Sequence, residues 1–307
     1  MSSIVALAGG VGGAKLAHGL AMVLDPAELT VVVNTADDFE HLGLHISPDL
    51  DTVCYALAGL ANPFTGWGQA NETWEFLAAL EKLGGEVWFR LGDRDLATHV
   101  ERTRRLQAGE TLTQVTRAFC RVWRVGPRVL PMSDDPVHTV VVTPGGELAF
   151  QDYFVRRGCE PIVSGFRFEG IETARPTPGI LEAIKGAQMV VICPSNPWIS
   201  VDPILAVPGI REALKSRVVV AVSPIVGGEA IKGPAARMYR QLGIEPSPVA
   251  VAQHYGELLT GLVIDRRDEA KAEQIEHSGV RVLVTDTIMQ TESDRGRLAR
   301  EVLAYSI

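Results

Sequence analysis

The sequence predicts an α/β fold: a mostly parallel sheet with helices on both faces, plus a mainly helical insert. Three observations carry this. Short, apolar, β-branched runs recur along the chain, each ended by turn or polar residues. Periodic helical stretches separate most of them, the pattern of a parallel sheet buried on both faces. A glycine-rich segment stands between the first run and the first helix.

The expected strands come in order. "SIVALAG" ends in glycines, and "LTVVVN" is a continuous β-branched run. "MVVICPSNP", "RVVVAVSP", "VAVA", "LVID" and "VRVLVTDT" complete the set. Ligands of such sheets sit outside the carboxyl ends of the strands. Those ends carry Gly9-Gly10, Asn34, Pro194-Ser195-Asn196, Ser223-Pro224, Asp265 and Asp286, which are therefore expected to converge on one rim. Residues 55–128 differ, with no strong strand run. "NETWEFLAALEKLGG" and "LTQVTRAFCRVWRVG" read as amphipathic helices. This segment is expected as a helical insert over the active-site rim, with 1–54 and 129–307 as a Rossmann-like nucleotide-binding core. Residues 138–155, "HTVVVTPGGELAFQDYFV", alternate around Pro-Gly-Gly and read as a hairpin.

Composition narrows the function classes. The 307 residues are 46% apolar, enough for a substantial core. A net charge of −8 without a Lys/Arg run argues against nucleic-acid and membrane-surface binding. No apolar run reaches the roughly 18–20 residues of a membrane span, and "MSSIVALAGG" lacks a basic leader. Cys54, Cys120, Cys159 and Cys193 lie far apart with no C-x-x-C pattern. They read as reduced thiols of a cytoplasmic protein, with no zinc site.

The glycine loop, "ALAGGVGGAKLAHGL", matches neither G-x-G-x-x-G nor a P-loop. Glycines at a strand-to-helix turn let backbone amides approach a phosphate, and the helix N-terminus favours its charge. The structural alternative is a tight turn that packs helix against strand. Lys15 favours phosphate, because the dipole disfavours an ammonium in a first helical turn without an anion nearby. Gly10, Val11, Gly12, Gly13 and Lys15 are the candidates.

After the second strand, Asn34 is followed by Asp37 and Asp38, then by Asp49 and Asp51 in "SPDLDT". Ser47 or Asp49 can cap the helix that starts near Leu50. Several carboxylates beside a phosphate site suit Mg²⁺, a hard cation that takes oxygen ligands and bridges to phosphates. The candidate ligands are Asp37, Asp49 and Asp51. His41 and His45 are weaker candidates. "FRLGDRDLATH" packs Arg90, Asp93, Arg94 and Asp95, either a salt-bridge network or a phosphate-binding group. "LPMSDDPVHT" holds Ser133, Asp134 and Asp135, which read equally as an Asx turn. Chemistry by positioned phosphates, a metal and an incoming hydroxyl fits these residues better than covalent catalysis.

In order, "GGVGGAK", "VVVNTADD", "SPDLDTVCYALAG", "RLGDRDLATH", "LPMSDDPVHT", "CPSNPWISVDPIL", "AVSPIVGG…IKGPAAR" and "VTDTIM" span residues 4 to about 290. Together they resemble the 2-phospho-L-lactate transferase family of deazaflavin coenzyme (F-420) biosynthesis. The resemblance implies a Rossmann-like homodimer that uses Mg²⁺. It implies transfer of a phospho-acid group from a guanosine diphosphate-linked donor to the ribityl hydroxyl of a 5-deazaflavin, Fo, with release of GMP. The acid is lactate, enolpyruvate or glycerate. By the same resemblance, the deazaflavin contacts fall on Asp51 and Arg90, and the donor contacts on Gly10 to Gly13, Ser195 and Asn196. Asn34 joins the donor set from the rim. Asp51, Arg90 and Arg94 are the expected catalytic residues. The competing reading is a non-catalytic nucleotide-sugar-binding regulator of the gluconeogenesis-factor type, which shares the glycine-loop fold.

Overall fold

The computed structural model describes residues 3–305, and its first strand lies inside the sheet, between two parallel neighbours. β1 (Ile4–Ala8) is buried along its length, and α1 (Gly10–Val23) connects it to β2 (Leu29–Val33), its parallel neighbour. The acidic stretch then makes a hairpin, β3 (Phe39–His41) and β4 (Leu44–Ile46). Its two-residue turn places Leu42 at φ 53° and Gly43 at φ 72°, the positive pair such tight hairpins need. α2 (Pro48–Leu57) follows, then α3 (Glu75–Lys82), α4 (Asp93–Gln107) and α5 (Leu112–Val122).

β5 (Arg128–Pro131) joins the sheet beside β2. β6 (His138–Thr143) and β7 (Gly146–Ala149) are the expected hairpin, completed by β8 (Gly165–Glu169). The hairpin is shorter than its sequence suggests, because residues 152–156 form a single wide helical turn. α6 (Ile180–Gly186) leads to β9 (Met189–Ile192), the other parallel neighbour of β1. α7 (Asp202–Ala206) and α8 (Ile210–Leu214) precede β10 (Val219–Val222). A short ribbon, β11 (Ile225–Val226) and β12 (Glu229–Ala230), then α9 (Ala235–Gln241) and α10 (Pro248–Tyr255), reach β13 (Gly261–Asp265). α11 (Ala272–Glu276), β14 (Arg281–Thr285) and α12 (Glu292–Ala304) close the described chain.

The central parallel sheet has seven strands in the order β14-β13-β10-β9-β1-β2-β5. The chain moves outward from β1 to β5 in one direction and from β9 to β14 in the other. The order therefore reverses between β1 and β9, the switch point where such sheets open a crevice.

Alternation along each strand builds two cores. Val5 and Leu7 face one side with Val190, Ile192 and Leu262, under α6, α8, α9 and α10. Ile4, Ala6 and Ala8 face the other with Val31, Val191 and Val220, under α1, α2 and α12. α1 approaches α12 so closely that a Cβ on Gly19 would lie 2.3 Å from the Arg295 carbonyl oxygen.

Two elements differ from the sequence reading. "VAVA" is not a strand but part of α10, whose start is set by Ser247, accepting from the Ala250 N–H at 3.1 Å, and by Pro248 at the first helical position. β5 was not expected, because "RVLP" is four residues long and ends in proline. No described helix is long and apolar enough to cross a membrane.

Candidate active site

The switch point opens into a cavity of about 740 Å³. Gly9, Gly10, Val11, Gly12 and Lys15 form part of its wall, with Pro194, Ser195 and Asn196 from the end of β9. The glycines are required by close approach. A Cβ on Gly12 would lie 2.2 Å from the Pro194 carbonyl oxygen, and Gly10 takes φ 61°. Ser195 fixes the loop: its hydroxyl donates to the Gly9 carbonyl at 2.8 Å and accepts from the Gly9 N–H at 3.1 Å. Gly13 packs against that hydroxyl and does not line the cavity, so it supports the loop from behind. Asn196 accepts from the Trp198 N–H at 3.1 Å while facing the cavity. Lys15 also faces the cavity and donates to the Met289 carbonyl at 2.6 Å. Burial first, then the charge of Lys232, lowers the Lys15 pKa.

The acidic stretch separates into two groups. In the first, Asp49 in α2 accepts from the Gly10 N–H at 2.8 Å and from the Asn34 side chain at 3.0 Å. Burial pushes its carboxyl up to about 6. Asp37, in the turn four residues after β2, is pushed well above the usual carboxylate range by burial and then by the charge of Asp49. Its Oδ1 is buried and has no hydrogen-bond partner among the described residues. Asn34 does not line the cavity; it stands behind Asp49 and orients it. Ser47 sits at the cap position of α2 but does not cap it, donating instead to Asp38 at 2.7 Å.

The second group centres on Asp51, which is 5% exposed. Arg102, in α4, donates to both of its oxygens, to Oδ2 at 3.0 Å. Arg102 also donates to His99 Nδ1 at 3.2 Å, which places the imidazole hydrogen on Nε2, 3.6 Å from Asp95. Tyr55 donates to Asp95 at 2.6 Å. Burial raises the Asp51 pKa, and the Arg102 charge is the largest opposing effect. Among the described residues, one group of three potential metal ligands has its atoms within 4.8 Å of one another: Asp51, Asp95 and His99. The expected trio Asp37, Asp49 and Asp51 is thus divided, because positions two apart on α2 point to different sides of the helix.

Aromatic side chains complete the wall. Trp88 and Phe89 face the cavity and pack edge-on against His41 at 5.0 and 5.8 Å. Phe64 and Trp67 come from the loop after α2, and Phe154 stacks on Phe150 at 5.3 Å. Arg90 lines the cavity with its guanidinium 4.4 Å from the Trp74 ring centre. Arg94 is elsewhere: it is exposed, lies outside the cavity wall and donates to the Ala70 carbonyl at 3.3 Å. The remaining polar knot is structural. Ser133 accepts from the Asp135 N–H at 3.0 Å, and Asp134 accepts from the Thr113 N–H at 2.7 Å. Of the other rim residues, Ser223 and Pro224 reach the cavity, while Asp265 turns to the Thr287 N–H at 2.9 Å and Asp286 pairs with Arg266.

Sequence reasoning missed Tyr55, His99 and Arg102. Each was signalled by helical spacing: Tyr55 lies four residues after Asp51, and His99 and Arg102 lie four and seven after Asp95.

These features define a doubly wound α/β protein with its ligand cavity at the switch point. The family model described as 2-phospho-L-lactate transferase CofD matches residues 4–302. The chain is 44% identical to the phosphoenolpyruvate transferase of Streptomyces griseus, over 98% of this chain and 97% of that protein. It is 40% identical to the 2-phospho-L-lactate transferase of Methanosarcina acetivorans, over 98% of each. A crystal structure of a upf0052 family protein from Bacillus halodurans shares the fold at 18% identity, with a TM-score of 0.64 over 99% of this chain and 100% of that one. The chain belongs to the 2-phospho-L-lactate transferase CofD family, and is a transferase of coenzyme F-420 biosynthesis.

Proposed function

We propose that the protein moves a phospholactate-type group from a guanosine diphosphate-linked donor to the ribityl hydroxyl of 7,8-didemethyl-8-hydroxy-5-deazariboflavin (Fo), releasing GMP. The group is 2-phospholactate, phosphoenolpyruvate or phosphoglycerate. One observation carries the reading: a single cavity is walled both by the glycine loop with Lys15 and by Trp67, Trp88 and Phe89 with Arg90. The first set suits a diphosphate, and the second a planar ring. A volume of about 740 Å³ suits ligands of this kind.

The residues present fit a divalent cation. Asp37 and Asp49 are buried carboxylates, and the unpartnered Oδ1 of Asp37 is a ready ligand atom. When bound there, Mg²⁺ would supply positive charge to the donor diphosphate. The chain's own groups do the rest. Backbone N–H groups of the glycine loop and Lys15 bind the donor phosphates. Arg90 meets the acceptor, and Asp51, held by Arg102, accepts the hydrogen bond of the ribityl hydroxyl and orients it toward the donor. A homodimer and a cytoplasmic location go with this proposal on family grounds.

The test is turnover. The protein is mixed with Fo, Mg²⁺ and each of the three donors, and product and GMP are followed by mass spectrometry. Product from one donor supports the transfer and identifies the acid. No product with any donor, in folded protein, refutes it and favours the nucleotide-sugar-binding regulator.

A further inference from the structure

The loop between β12 and α9 rises over the rim and brings Ile231, Lys232 and Gly233 into the cavity wall. The Lys232 ammonium donates to the Thr65 carbonyl at 2.8 Å and reaches that of Phe64 at 3.5 Å. Lys15 likewise donates to a backbone carbonyl. Among the described residues neither lysine forms an ion pair with a carboxylate. Burial lowers the Lys15 pKa most, the charge of Lys232 lowers it further, and Asp294 opposes both. Two like charges facing one cavity, neither in direct contact with a carboxylate, favour an anion bound between them.

The geometry around them is tight. Gly66, at φ 79°, sits where a Cβ would be 2.5 Å from Val11 Cγ1 and 3.4 Å from Lys232 Nζ. Lys232 therefore reaches the cavity where the loop of residues 62–68 lies on the glycine loop. Backbone carbonyls are weak partners for an ammonium compared with phosphate oxygens.

We infer that Lys232 is a second cationic residue of the anion site, acting with Lys15 on a polyphosphate ligand at the glycine loop. This deepens the proposed function, on which it rests for the identity of the ligand: it names the residue from the β12–α9 loop that holds the donor's diphosphate. Lys232 also ties that loop to residues 64 and 65, so an anion there is enclosed by three segments of chain.

Calorimetric titration of inorganic pyrophosphate, GDP and guanosine into the wild type, Lys232→Met and Lys232→Arg, in magnesium-containing buffer, tests this. Lys232→Met is expected to weaken pyrophosphate and GDP about 10- to 100-fold, the loss of one charge-assisted contact, and to leave guanosine unchanged. Lys232→Arg is expected to retain most of the affinity. Pyrophosphate binding within two-fold of wild type in Lys232→Met would overturn the inference. So would an equal loss for guanosine, which marks a merely structural role, or a wild type that binds neither anion. Lys232-dependent anion binding in a protein that turns over no donor would leave this inference standing while removing the transfer reaction. Turnover with Lys232-independent anion binding would do the reverse.

Discussion

The Asp51–Arg102 pair can be broken from one side. Arg102 is 2% exposed and Asp51 5%, and the guanidinium donates to both carboxylate oxygens. Replacing Arg102 by Met keeps much of the volume and removes the charge. The surviving carboxylate stays buried without its cation, which costs about 3–5 kcal/mol, far more than the net worth of an intact pair. Because the Arg102 charge is the largest effect opposing burial at Asp51, its loss sends that carboxyl further up and favours the protonated form. For 307 residues the unfolding entropy is about 0.6 kcal/mol per degree, so the melting temperature should fall by roughly 5–8 °C. Calorimetry and urea denaturation measure the loss. The double variant Arg102→Met/Asp51→Asn removes both charges and should recover more than half of it. A single variant within about 1 kcal/mol of wild type, or a double variant as unstable as the sum of the two singles, would refute the account of Asp51 as a carboxylate that depends on Arg102.

Three further expectations are independent of that pair. Asp37 has a raised pKa in the folded chain, so the wild type is most favoured below the unfolded carboxylate value and loses that stability as pH rises through the folded value. Asp37→Asn, which does not titrate, should therefore gain melting temperature over wild type in excess EDTA, more at pH 8 than at pH 5; an equal or reversed difference would contradict the shared acidic site. Gly12→Ala pushes a Cβ to 2.2 Å from the Pro194 carbonyl oxygen, and backbone cannot yield as a side chain does. It should lose about 1–3 kcal/mol in urea denaturation, and wild-type stability would show that the two loops are slack. Arg94→Ala, at an exposed side chain outside the cavity, should keep turnover within about two-fold, whereas Arg90→Ala should weaken Fo binding about 10-fold in a fluorescence titration. A reversed order would return Arg94 to the site.

The strands of the sheet were legible because a parallel strand buried on both faces has little choice but a short β-branched run, as in Leu29–Val33 and Val219–Val222. The run "VAVA" misled because four apolar residues fit a strand and a buried helix equally; the Ser247-Pro248 start signal decides it. In the candidate site, strand ends such as Gly9-Gly10 and Ser195 were readable from topology alone. Arg102 was not, because an arginine two turns into a polar helix looks like a solvated charge until the partner it meets across 51 residues of chain is known. Lys232, Phe64 and Trp67 lie on loops with no periodicity, where only the folded chain shows what they face.

The division of the acidic stretch follows from what each carboxylate can find. Asp51 meets a guanidinium and is neutralised in the folded chain, so its position is set before any ligand arrives. Among the described residues, Asp37 and Asp49 meet no cationic side chain: Asp49 accepts from the Gly10 N–H and the Asn34 amide, both carboxyls lie in the field of Asp38, and one oxygen of Asp37 has no hydrogen-bond partner. Their burial is unfavourable in the free protein and becomes favourable only when positive charge enters beside them. Lys15 and Lys232 present the same imbalance with the opposite sign. Binding a cation at one pair and a polyphosphate at the other would relieve both, and each ligand would strengthen the other. Magnesium should therefore tighten pyrophosphate in the wild type and do so less in Asp37→Asn, a coupling that titration of each ligand in the presence of the other measures directly. Equal enhancement in both proteins would place the cation away from Asp37.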